Sequence, residues 1–324
     1  MPDILGRGEC GSHVTLLFSI EDDSEELVNQ GSLGSGLCLV DGSEAIARGT
    51  EGGGSLSVRF IGRSGESNLY HEVRETLAEF IPEILDYDWE ITVKLRLPVG
   101  QGFGMSASGA ISASMAIQRA MGLPYEESRR RSYLVAHLVD RKRSSGLGDV
   151  SALSAGGVEL RISPGSPYHG HLLDNGPGRA IGWSNGMEVL LAWGDGSGKH
   201  TSTYIDSSEW KASISSAGNA QLVELEKGNW DKGKWPELIE SAWRFSQMSG
   251  LIDESRRSAV LQKASRAIDE CGMKDLVAPL LCMLGESVVI VPKDPDEVVE
   301  MATLLSSIER EGLSGCVTRI NESS

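Results

Sequence analysis

The stretch Pro98-Val99-Gly100-Gln101-Gly102-Phe103-Gly104-Met105-Ser106-Ala107-Ser108-Gly109-Ala110 follows a strand-like run, Ile91-Thr92-Val93-Lys94-Leu95-Arg96-Leu97, and opens a helix. A strand that feeds a glycine-rich loop into a helix N-terminus is a ready anion site. Glycine lets the backbone approach a ligand, and the first N–H groups of the helix have no acceptor within it. The serines at the start of the helix add hydroxyls that can meet phosphate oxygens or a Mg²⁺ ion. The loop therefore predicts phosphate handling, with a purely structural turn as the other reading. A dinucleotide fingerprint fits Gly100, Gly102 and Gly104 only loosely. A proline opens the loop, and no acidic residue ends a second strand about 20 residues on. The G-K-[ST] ending of a P-loop is missing as well.

Outward from the loop, the chain has 324 residues, enough for two domains with sizeable cores. No run of eighteen apolar residues occurs, so no membrane span is expected, and the first residues do not read as a signal peptide. Five cysteines (Cys10, Cys38, Cys271, Cys282, Cys316) are scattered without CxxC spacing. They read as reduced thiols of a cytoplasmic protein. A net charge of −16 argues against general nucleic-acid binding. It also means that a polyphosphate must be met by local cations or a metal. Two basic clusters, 129–131 and 141–143, are available, although charge runs commonly form a solvated helix face.

The first third alternates short apolar runs with glycine turns, which predicts strands at residues 13–20, 36–40, 45–48 and 56–61 in a mostly antiparallel sheet. Helices are expected at 69–80, 106–121 and 125–143, the second stopped by Gly122 and Pro124. Asp149 stands where a further helix could begin, and 156–162 reads as turn plus strand. A Gly- and Pro-rich loop, 163–182, is the expected junction between an N-terminal domain (1–180) and a C-terminal one (181–324). The second half intermixes strands at 188–193, 287–291 and 316–320 with helices at 235–249, 254–271 and 295–310, an α+β layer.

Several side chains have two readings. His137 and Asp140, three apart, share a helix face; each is a catalytic candidate or an ordinary polar residue. Asp149, between glycines and a helix start, is a well-placed carboxylate or a simple N-cap. Arg161 on a strand could grip a bound carboxylate bidentately or pair with a surface carboxylate of the protein. Ser32, in Gly31-Ser32-Leu33-Gly34-Ser35-Gly36, sits in a second loop that could reach a ligand or merely turn.

Taken in order, these segments resemble the GHMP kinases, the superfamily of galactokinase, homoserine kinase and mevalonate kinase. The loop 98–110 looks like that family's second motif. The narrower resemblance is to the archaeal pantoate kinase family. It is carried by His13-Val14-Thr15, residues 31–36 and 102–109, Ala136-His137 through Gly146-Leu147-Gly148-Asp149-Val150, Gly156-Gly157-Val158-Glu159-Leu160-Arg161, and Cys282-Met283-Leu284-Gly285-Glu286-Ser287-Val288. The resemblance implies a two-domain α+β fold, a ribosomal protein S5 domain 2-like unit followed by a ferredoxin-like one. It implies transfer of phosphate from ATP, with Mg²⁺, to the primary hydroxyl of pantoate in coenzyme A synthesis. It gives Pro98, Gly100, Gly102, Phe103, Gly104, Met105, Ser106, Ala107 and Ser108 to the nucleotide. Ser106 and Asp140 go to the metal, and Asp149 to the attacking hydroxyl. Ser32, His137 and Arg161 go to pantoate, together with Thr201 or, in an equal alignment, Ser202. Family members are often dimers.

The sequence also departs from the family. Asp140 stands for a glutamate one methylene longer, Leu33 for a common arginine, Ser108 for a small apolar residue, and Cys10-Gly11-Ser12-His13 lacks a proline. These differences leave room for a mevalonate, homoserine or sugar acceptor. Retention of Ser106 and Asp149 weighs against a silent nucleotide-binding relative.

Overall fold

The computed structural model describes residues 3–196 and 202–323. Its N-terminal part is a six-stranded sheet built on two very long strands, β1 (Ile4–Glu21) and β2 (Gly31–Glu51). They pair antiparallel along their whole length, from Ile4 against Gly49 to Glu21 against Gly31. β3 (Leu56–Gly62) leads through helix α1 (Ser67–Ala78) to β4 (Tyr87–Leu95), and these two strands are parallel. Helices α2 (Met105–Ala120), α3 (Tyr125–Lys142) and α4 (Asp149–Ala155) follow, then β5 (Val158–Ser163). A two-residue hairpin, β6 (Tyr168–His169) and β7 (Asp174–Asn175), precedes β8 (Arg179–Trp183). β2 pairs with β4 through residues 43–51 and with β5 through residues 34–37, so one strand joins the glycine-loop side of the sheet to the β5 side.

The second sheet begins at β9 (Glu188–Trp193). Helices α5 (Ser202–Ile205), α6 (Ser208–Leu225), α7 (Trp235–Met248) and α8 (Ser255–Glu270) lead to β10 (Val277–Leu281) and β11 (Ser287–Pro292), then α9 (Met301–Arg310) and β12 (Ser314–Arg319). The strand order is β10-β11-β9-β12 with every pairing antiparallel. That is the ferredoxin-like arrangement the resemblance implied.

The sequence explains the main contacts. α2 is buried along nearly its whole length, and its alanines and serines let it lie against β1. Gly6 completes this fit: a Cβ there would fall 2.2 Å from the carbonyl oxygen of Ala116. α6 carries Ile214, Ala217 and Leu222 inward and covers β1, where the Ile20 amide donates to Ser215 Oγ at 3.1 Å. The Phe18 and Phe245 rings, 5.7 Å apart, continue one apolar core from the first sheet into the helices of the second half.

Several elements differ from expectation: α6 and β8 were not expected, and β1 starts nine residues earlier than the strand read at 13–20. Residues 36–40 and 45–48 belong to one strand, because Gly42 lies at a bulge, with a register shift between Cys10 and Ser12, and bends β2 without reversing it. The helix expected from 295 begins at Met301. Asp294 captures the Asp296 amide with its side chain (3.0 Å) and the Glu297 amide with its carbonyl (3.1 Å), a local turn that competes with helix. β10 had no sequence signal, because Pro279 interrupts it; proline is tolerated there because β10 is an edge strand. The loop 163–182 ends inside β8, which is an edge strand of the first sheet.

Candidate active site

A cavity of about 310 Å³ opens between the glycine loop, the N-termini of α2 and α4, α1 and the turn at Met283-Leu284. Gly100, Gly102, Phe103, Gly104, Met105 and Ser106 line it; Pro98, Ala107 and Ser108 do not. Ser108 turns to the sheet, where its hydroxyl donates to the Cys10 carbonyl and lies within hydrogen-bond distance of Ser43 Oγ, both at 3.0 Å. Gly100, Gly102 and Gly104 all have positive φ (74°, 75° and 60°), which explains why the loop is glycine-rich. At Gly102 the need is also steric, since a Cβ would lie 2.9 Å from the Gly285 amide nitrogen. The first amides of α2 have no acceptor within the helix, and Met105 and Ser106, which carry two of them, line the cavity.

Ser106 stands at the second residue of α2. Its hydroxyl donates to Asp140 Oδ1 at 2.5 Å, and Ser145 donates to the same oxygen at 2.7 Å. Asp140 is buried on α3, and burial, opposed by these two hydroxyls, pushes its pKa up to about 6. A buried carboxylate with raised pKa is electrostatically undercompensated, and a divalent cation beside it would supply the missing charge. Carboxylate and hydroxyl oxygens are also suitable donors for Mg²⁺, which commonly binds one or two carboxylates plus substrate phosphates. Among the described residues no three His, Cys, Asp or Glu side chains gather as a metal cage.

Asp149 is the first residue of α4, and Gly148 occupies the cap position, so the N-cap reading of Asp149 does not hold. Its carboxylate lines the cavity and is one-fifth exposed. Behind it runs a buried chain of charge. Asp149 Oδ1 is 2.6 Å from His13 Nδ1, His13 Nε2 is 3.0 Å from Glu159 Oε1, and Arg161 Nη1 donates to that same Glu159 oxygen at 3.1 Å. His13, Glu159 and Arg161 are fully buried. Burial disfavours the charged imidazole, but the bonds to Asp149 and Glu159 outweigh it and raise the His13 pKa.

The remaining candidates divide. Ser32 lines the cavity. Arg161 sits beneath it, enclosed by Gly34 and Gly148 and engaged by Glu159, so the protein carboxylate it grips is a buried one. His137 does not line the cavity. Its Nε2 lies 3.0 Å from the Leu27 carbonyl, and burial lowers its pKa to about 4. Thr201 lies outside the described residues.

The sequence reading passed over Glu159 and Arg143. Glu159 and Arg161 occupy alternate positions of one strand, and two charges on the inward face of a strand were the available signal. Arg143 lines the cavity, held by Glu72 and Glu66 at 2.7 Å each, so the second basic cluster is in part cavity wall and not only solvated face.

A glycine loop feeding a helix and a carboxylate at a second helix start share this cavity, which opens between the first sheet's helices and a turn of a ferredoxin-like layer. This arrangement suits a ligand whose phosphate meets the loop and whose other end meets the carboxylate. The family model for the GHMP kinases N terminal domain matches residues 68–157. The chain is 33% identical over 313 residues to a pantoate kinase of Thermococcus kodakarensis, covering 94% of this chain and 93% of that one. A pantoate kinase of Methanocaldococcus jannaschii is 24% identical over 75% of this chain and 80% of its own. Among solved structures, a "Phosphotransferase related to CoA biosynthesis pathway" superposes with a TM-score of 0.74 at 24% identity, covering 99% of this chain and 98% of that one. A homoserine kinase from Cytophaga hutchinsonii shares the fold at a TM-score of 0.62 and 11% identity, covering 100% and 96%. The chain belongs to the pantoate kinase family of the GHMP kinases.

Proposed function

We propose that this protein transfers the γ-phosphoryl group of ATP to the primary hydroxyl of pantoate, in the cytoplasm and as a step of coenzyme A synthesis. The observation that carries the reading is the near full-length match to a pantoate kinase, with the glycine loop and Asp149 on one cavity. Phosphoryl transfer asks for positioning and charge stabilisation more than covalent chemistry. The amides at the start of α2 would hold the β- and γ-phosphates. Ser106 and Asp140 would hold Mg²⁺, which neutralises phosphate charge when bound; the shorter aspartate favours contact through water. Asp149 would accept the hydroxyl proton as the acceptor oxygen approaches phosphorus. Ser32 would meet pantoate directly. Arg161 and His137, set behind the cavity wall, would support that half of the site from beneath, with Thr201 assigned to it by resemblance alone.

The sequence division at 180/181 falls within β8. We therefore set the boundary between the two units at residues 184–187, where the chain leaves the first sheet for the second. A homodimer is the resemblance's implication, readable by light scattering.

The test is ADP release from Mg-ATP with pantoate, mevalonate, homoserine or galactose as acceptor. Turnover is expected with pantoate alone; turnover with another acceptor and none with pantoate would overturn the reading. Asp149→Asn should lower kcat by about 10²–10⁴-fold while leaving ATP affinity within a few fold, the range for removal of a general base. Near-normal kcat in that variant would remove Asp149 from the mechanism.

A further inference from the structure

We propose that Glu159 is a positioning residue, acting through His13 to orient Asp149 toward the acceptor hydroxyl. The inference rests on the reading of Asp149 given above. Its own basis is the buried chain Asp149–His13–Glu159–Arg161.

Both ring nitrogens of His13 face carboxylate oxygens, Nδ1 at 2.6 Å and Nε2 at 3.0 Å. A neutral imidazole has one N–H and one lone pair, and the lone pair would then oppose a carboxylate. Two N–H···O bonds require the doubly protonated ring or a protonated carboxyl group. Arg161 donates to the same Glu159 oxygen, so that oxygen acts as an acceptor toward both neighbours. The consistent state is therefore two cations alternating with two anions. His13 holds Asp149 Oδ1, leaving Oδ2 free to take a proton.

The other groups around His13 fit this assignment. Thr15 Oγ1 on β1 is 3.4 Å from Nδ1. Cys38, its register partner on β2, keeps its thiol protonated through burial and donates it to the Ala152 carbonyl. From the start of α2, Gly104 presents only backbone and no Cβ. Asp140, on α3, is a further carboxylate near Asp149.

A merely structural explanation fits less well. Glu159 Oε2 and Arg161 Nε are buried without hydrogen-bond partners among the described residues. Buried ion pairs with unmet polar atoms are commonly no better for stability than apolar packing of the same volume. A role transmitted to Asp149 accounts for the cost. In the reaction the acceptor hydroxyl proton passes to Asp149 Oδ2, the acceptor oxygen bonds to the γ-phosphorus, and the bond to the ADP oxygen breaks. Asp149 then returns its proton to solvent. His13 keeps both of its protons throughout.

The experiment combines ¹⁵N NMR of the His13 ring with pH profiles of kcat. In the wild type the ring should be doubly protonated at pH 8. Glu159→Gln should make it neutral at that pH, lower kcat about tenfold and move the alkaline limb down by about one pH unit, as expected when the charge favouring imidazolium is removed. The KM for ATP should stay within twofold. Glu159→Asp, which keeps the charge, should restore the limb. Arg161→Met should leave the His13 ring protonated at pH 8 even if pantoate binding weakens. A neutral ring in the wild type, or an unmoved limb in folded Glu159→Gln, overturns the proposal. The ring titration needs no substrate, so it separates this failure from a wrong choice of acceptor.

Discussion

His137 illustrates what a single side chain contributes apart from chemistry. Its imidazole is buried and neutral, with a pKa lowered to about 4 by burial against an ordinary value near 6.5. The unfolded chain binds a proton at His137 as the pH drops through 6.5, whereas the folded protein resists doing so until about 4. Stability is therefore complete above pH 6.5 and is lost as the pH falls, by roughly 3 kcal/mol over that window. His137→Gln can still donate to the Leu27 carbonyl but cannot titrate. Urea unfolding at pH 7 and pH 4.5 should show a smaller acid loss in this variant than in the wild type. An equal loss would place the acid sensitivity elsewhere. The sequence offered His137 as a catalytic candidate or an ordinary polar residue because it shares a helix face with Asp140, and only the resemblance gave it to pantoate. Helical spacing does not say which of two neighbours meets the cavity and which meets Leu27.

At the scale of elements, the glycine loop was legible for a physical reason. Glycines at alternate positions before a helix have few uses other than positive φ and close approach, and all three have positive φ. What could not be read was the partner surface. The turn Cys282–Glu286 carried a family resemblance but no chemistry of its own, yet Met283 and Gly285 form the wall against which Gly102 closes. Gly102→Ala needs a left-handed backbone and sets its Cβ 2.9 Å from the Met283 carbonyl oxygen and the Gly285 amide. The cost should be about 1–3 kcal/mol, the usual range for strain of this kind. Because the strain falls on the loop, the KM for ATP should rise at least several fold while the KM for pantoate changes little. Equal changes in both would mean that the loop does not serve the donor alone. The long β2 strand was misread as two because a bulge glycine and a turn glycine look alike in sequence; only the pairing with β1 separates them.

Across the whole molecule, the two sheets meet where the sequence was least informative, at the C-terminal residues. Cys316 to Ile320 read only as a last strand. In the structure the chain continues past β12 and ties the second sheet to the first. The Ile320 amide donates to the Met187 carbonyl and the Asn321 amide to the Cys38 carbonyl. Asn321 Oδ1 accepts from the Gly157 amide at 2.8 Å, immediately before the strand that carries Glu159 and Arg161. A short polar tail thus fixes the entry of β5, and with it the buried charges behind Asp149. Asn321→Ala leaves the Gly157 amide without its acceptor and should destabilise the protein by about 1–2 kcal/mol, the cost of an unmet buried donor. The backbone bonds of residues 320 and 321 remain in that variant, so the tail stays in place and the KM for ATP should be unchanged. Denaturant unfolding and steady-state kinetics on the same preparation check both expectations. A loss of ATP affinity without loss of stability would mean that the tail reaches the donor half, against the division of the cavity argued from Gly102 and Asp149.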